Sequence, residues 1–108
     1  MKLNKSDACG TSLMGYLTTD YATLTGLFGH PHMSDGDKVT AEWCFEAYGT
    51  VFTIYDYKEE KTPLDLYAWH VGGENKSALV VLREYLALNH VNDLVESYQD
   101  HTRRIYGF

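Results

Sequence analysis

The stretch Val39 to Tyr57, "VTAEWCFEAYGTVFTIYDY", decides the fold. Val39, Ala41, Trp43, Phe45 and Ala47 alternate with Thr40, Glu42, Cys44 and Glu46, the period-two pattern of a strand with one covered and one wet side. Tyr48-Gly49 then supplies a two-residue turn. Thr50 to Tyr57 is β-branched or aromatic at nearly every position, as a returning strand should be.

Working outward, Lys58 to Pro63 reads as a charged loop and Leu66 to Val71 as a third strand, so the three segments predict an antiparallel meander. Upstream, Thr11 to Leu17 reads as a short strand. Tyr21, Leu24, Leu27 and Phe28 fall at helical spacing, with Thr19 as N-cap and Gly29 as the stop before Pro31. Downstream, Ala78, Leu79, Val81, Leu82, Tyr85 and Leu86 form a wide apolar stripe on a helix over Glu74 to Leu88. Val91, Leu94, Val95 and Tyr98 suggest a second, shorter helix ending at Arg103-Arg104. The expectation is an α+β two-layer domain ordered strand, helix, three-stranded antiparallel meander, helix, helix, with the helices on the face of Trp43 and Phe45. Residues 11–108 form that one domain, behind a loose arm of residues 1–10.

Composition bounds the function. The chain has 108 residues, 44% of them hydrophobic, enough for one core without a metal or disulfide staple. Its formal charge is −6, and Ser34 to Asp65 alone sets eight carboxylates against three lysines. That balance argues against direct nucleic-acid binding and for a basic partner. Two cysteines, Cys9 and Cys44, and a polar start from Met1 to Asp7 fit a reduced cytoplasm, and no window is apolar enough for a membrane span.

Three clusters could carry chemistry. In "WHVGGENKS", Trp69 to Ser77, a glycine pair follows a strand and precedes a helix start, so His70, Gly72, Gly73, Lys76 and Ser77 could hold a phosphate or carboxylate, with Trp69 or Tyr67 stacking on a base. Such a site would suit a small-molecule binder that sequesters a phosphorylated signalling nucleotide. The spacing is not that of a phosphate loop, and the better reading is structural: Gly72 and Gly73 supply positive φ values for a tight turn, and Asn75 or Glu74 caps the helix. His30 and His32 with Asp35 and Asp37 bring metal-ligating types together, but a solvated loop accounts for them better. The wet row Thr40, Glu42, Cys44 and Glu46, joined by Tyr55, Asp56 and Tyr57, interleaves acids with tyrosines, the combination suited to docking on a basic surface. Glu42, Glu46, Tyr55, Asp56 and Tyr57 are its candidate contact residues. No complete nucleophile, base and oxyanion set is present, so no catalytic residue or cofactor is assigned.

The strings "GYLTTDYATLTGLFGHP", "DKVTAEWCFEAYGTVFTIYDYK" and "LYAWHVGG" resemble a group of small uncharacterised bacteriophage and prophage proteins, in wording and in order, over about Thr11 to Leu88. The resemblance implies an accessory phage protein working in the bacterial host cytoplasm. Such a protein would be a non-enzymatic inhibitor of a host defence or nucleic-acid enzyme, whose basic nucleic-acid-binding surface would be the partner of the acidic face. The stripe Val91, Leu94, Val95 and Tyr98 further suggests a weak two-fold homodimer.

Overall fold

The computed structural model describes residues 4–5, 12–33 and 38–107. At its centre lies the expected hairpin, strand β4 (Ala41–Ala47) against β5 (Thr50–Tyr55), in the register Glu42 to Tyr55, Trp43 to Ile54 and Phe45 to Phe52. Tyr48 and Gly49 both take positive φ, 54° and 73°, which matches the twist of the strands they join. Strand β6 (Tyr67–Gly73) completes the antiparallel meander. Strand β2 (Ser12–Thr19) then pairs with β6 on one side and with β7 (Leu94–Ser97) on the other. The outer edge of β4 pairs with two short strands, β1 (Asn4–Lys5) and β3 (His32–Met33). The resulting order is β1-β4-β5-β6-β2-β7, with β3 beside β4, and the fold is α+β.

Helices α1 (Tyr21–Phe28) and α2 (Ser77–Leu88) cover one face. Leu24, Phe28, Leu79, Leu82 and Leu86 meet Leu17, Trp43, Phe45, Phe52, Ile54, Trp69 and Val71 in a single core. A fully buried leucine such as Leu82 contributes roughly 2 kcal/mol in area terms. Indole and phenol tips also tie the elements together: Trp43 Nε1 of β4 donates to the Gly29 carbonyl at the end of α1 at 2.9 Å, Trp69 Nε1 of β6 to the Thr19 carbonyl of β2 at 3.2 Å, and Tyr85 Oη of α2 to the Leu27 carbonyl of α1 at 3.1 Å.

Several expectations need correction. The cap of α1 is Asp20, whose Oδ1 accepts from Thr23 N at 2.8 Å, whereas Thr19 remains in β2 and its hydroxyl donates to Asp93. Residues Leu94–Ser97 are a strand, and helix α3 (Tyr98–Tyr106) starts only after Ser97, whose Oγ accepts from Asp100 N. The proposed helical stripe is therefore split: Val91 and Val95 pack on the core, while Leu94 and Tyr98 are exposed. Asn4 and Lys5 belong to the sheet rather than to a loose arm, and the rest of residues 1–10 lie outside the described residues.

Gly72 and Gly73 do not turn the chain. They extend β6, pairing with Leu13 and Ser12 on one side and Thr53 and Phe52 on the other, and neither has positive φ. Gly73 is glycine because a Cβ there would stand 2.4 Å from the Cβ of Ala78, where α2 crosses the strand. Helix α3 lies on the face away from α1 and α2. Tyr16 points opposite to the buried Leu17 on β2, and its ring stacks on His101 of α3 with centroids 4.0 Å apart.

Candidate functional site

That second sheet face carries the candidate site. Strand pairing brings five side chains into one row across five strands: Glu42 on β4 opposite Tyr55 on β5, Tyr55 opposite His70 on β6, His70 opposite Tyr16 on β2, and Tyr16 opposite Glu96 on β7. Directly opposed residues stand about 5 Å apart at Cβ, so each ring meets the next. The His70 centroid lies 5.0 Å from Tyr16, 5.3 Å from Tyr55 and 5.5 Å from Tyr57, and Tyr67 stands farther off at 6.5 Å. Tyr57 follows the end of β5, where its backbone N–H donates to Tyr67 Oη at 3.2 Å. Leu13, Tyr16, Tyr55, Tyr57 and His70 line an open hollow of about 420 Å³.

Burial disfavours the charged forms of three rings in this hollow. Burial pushes the His70 imidazole below its ordinary value; the Asp56 charge opposes that shift and His101 adds to it. His70 Nδ1 is buried without a hydrogen-bond partner among the described residues, as a neutral ring tolerates better than an imidazolium. Burial likewise raises the phenols of Tyr16 and Tyr55, helped for Tyr55 by the charge of Glu42. At the far end of the row, Glu96 is buried under α3. Its hydrogen bonds from Arg104 pull its carboxyl below the usual range, burial opposes them, and His101 adds to the pull.

The expected docking residues divide. Tyr55 and Tyr57 line the hollow, and Glu42 pairs opposite Tyr55 on the neighbouring strand. Glu46 shares the face but lies four residues along β4 from Glu42, a rise of about 13 Å. Asp56 is not a contact residue. It is 0% exposed, its Oδ1 accepting from Thr40 N at 2.8 Å and Ala41 N at 3.1 Å, and its Oδ2 accepting from the Thr40 hydroxyl. Its work is to tie the end of β5 to the start of β4. Sequence reading missed Tyr16, Leu13 and Glu96. The alternation of β2 places Tyr16 opposite in sense to Leu17, but nothing in it says that β2 lies beside β6.

The anion site at Gly72 to Ser77 is not assembled. Ser77 N donates to Asn75 Oδ1 at 2.8 Å, Ala78 N to Asn75 O and Leu79 N to Lys76 O, so the first turn of α2 spends these donors on its own loop. Lys76 lines a second depression with Leu13, Met14, Ser97, Tyr98 and Gln99, which shares only Leu13 with the lining of the hollow around His70. Trp69 is 0% exposed and has no face to offer a base. Among the described residues no three metal-ligating side chains converge; His30 and His32 are exposed, and Asp35 and Asp37 lie outside the described residues. Cys44 is a buried free thiol, and Cys9 lies outside the described residues. No helix among the described residues is long and apolar enough to cross a membrane.

No family model, no curated protein and no solved structure matches this chain. The likeness to phage proteins therefore rests on the three sequence strings alone.

Proposed function

We propose that the chain is a non-enzymatic interaction module that docks the tyrosine-and-acid face of its sheet on a basic surface of a protein partner. The observation that supports this reading most is the row from Glu42 through Tyr55 and His70 to Tyr16, where three aromatic rings line an open hollow and a carboxylate stands in register beside them on the next strand. Tyrosines anchor an interface through large apolar area at low entropic cost, and carboxylates steer a basic partner toward it. The net charge of −6 adds long-range attraction of the same sign. Joined to the phage likeness, the reading gives the partner as a bacterial defence or nucleic-acid enzyme, inhibited because its nucleic-acid-binding surface is occupied.

The test is capture from bacterial lysate at low salt on immobilised wild type, Glu42→Lys and Tyr55→Ala, read by mass spectrometry. A protein held by wild type, lost from both variants and displaced by nucleic acid is the expected result. Equal capture by all three proteins removes the reading.

A further inference from the structure

We infer that the hollow takes the guanidinium of a single arginine side chain from the partner, an inference that rests on the docking reading above. The hollow is an arrangement of ring faces around His70 rather than a closed box: Tyr55 lies at 29° to His70, Tyr57 at 52° and Tyr16 at 62°. A flat, weakly hydrated cation stacks on such faces and keeps its N–H edge for an acceptor. That acceptor is in register. Glu42 is half-buried directly opposite Tyr55, and its charge reaches the Tyr55 phenol. A fully alkylated ammonium would have no N–H to give it, and a lysine ammonium would bring a compact, strongly hydrated charge with no face to stack.

Two further observations favour a cation. Burial disfavours the protonated form of the His70 imidazole among these rings, which lessens its repulsion of one. Lys58 Nζ already sits 5.4 Å from the Tyr57 ring centroid, so the protein's own structure uses that ring as a cation acceptor.

The experiment is a side-chain NMR titration of protein carrying ¹³C-labelled tyrosine and histidine rings. The probes are Nα-acetyl-arginine methylamide, the corresponding lysine amide and its trimethylated form, at fixed ionic strength. The expected result is saturable shifts confined to Tyr16, Tyr55, Tyr57 and His70, with arginine binding about threefold or more tighter than either ammonium. Glu42→Gln and Tyr57→Ala, both at accessible positions, should weaken it while the Tyr21 resonances on the opposite face stay in place. An arginine probe that fails to saturate at tens of millimolar, that moves other residues, or that binds no better than the ammonium probes overturns the inference. If a lysate partner is nonetheless lost on Glu42→Lys, the docking reading stands and this inference alone falls; if neither partner nor probe binds, both fall.

Discussion

Arg104 clasps both oxygens of Glu96, Nε to Oε2 at 2.9 Å and a terminal nitrogen to Oε1 at 2.8 Å, and so pins α3 to β7. The clasp matters because α3 has no buried residue of its own, and it holds the sheet besides through contacts that include the stacking of Tyr16 on His101 and Tyr98 and the His101 contact with Glu96. Arg104→Ala should therefore free the helix without unfolding the core. Hydrogen exchange is the check: amides of residues 98–106 should lose protection, while those of β5 and β6 keep theirs. Loss of protection throughout the sheet would show that α3 is part of the global folding unit.

His70 should make the fold sensitive to mild acid. Its folded value lies below the ordinary 6.5, chiefly through burial, so between the two values the unfolded chain binds more protons than the native one. The stability it contributes is complete above about 6.5 and drains away as pH falls through the lower folded value. Thermal midpoints measured from pH 8 downward should begin to fall below about 6.5, and His70→Phe, which also removes the unpartnered Nδ1, should flatten that part of the curve. An unchanged slope in the variant would assign the sensitivity elsewhere.

Asp56→Ala should act on stability and not on docking contacts. It removes one fully buried carboxylate and leaves Thr40 N and Ala41 N without their acceptor, at a cost of about 3 kcal/mol. Urea titration should show a lower midpoint with unchanged slope. A variant as stable as wild type that fails to bind the partner would return Asp56 to the docking surface.

Gly15→Ala should loosen the same strand pair that carries Glu96. A Cβ on residue 15 would stand 2.0 Å from the Glu96 carbonyl oxygen and 3.0 Å from Leu79 Cδ2, so β7 must move away from β2. A loss of about 2 kcal/mol is expected from such overpacking. Chemical shifts at residues 94–97 should report the displacement, and a variant with native shifts there would show that the bulge between Leu13 and Gly15 absorbs the methyl.

Where the sequence was readable, the reason is local. The alternation of Ala41, Trp43, Phe45 and Ala47, the turn at Tyr48-Gly49 and the spacing of Tyr21, Leu24 and Phe28 each express a rule that acts within a few residues. The last segment misled because Val91, Leu94, Val95 and Tyr98 satisfy a helical period by spacing alone, although two of them serve a four-residue strand and one opens a helix. The glycine pair misled for a different reason: glycine at residue 73 answers a close approach of α2, a tertiary demand with no local signature. Part of the hollow was in view, since Tyr55 belongs to the hairpin and Tyr57 follows it within two residues. Its other wall, Tyr16 and Leu13, depends on β2 entering beside β6, a pairing between distant parts of the chain that no short-range pattern records.

The position of β2 also bears on when the protein becomes competent during synthesis. This strand leaves the ribosome ahead of both of its neighbours, β6 and β7. A nascent chain can close the β4–β5 hairpin by itself, but Tyr16 must wait for residues 67–73 before it meets His70, and for residues 94–97 before its second flank is covered. Long-range closures of this kind are slow steps. The aromatic hollow is thus a late product of translation, and a ribosome stalled before β6 holds a chain that carries the hairpin residues but has no hollow to offer.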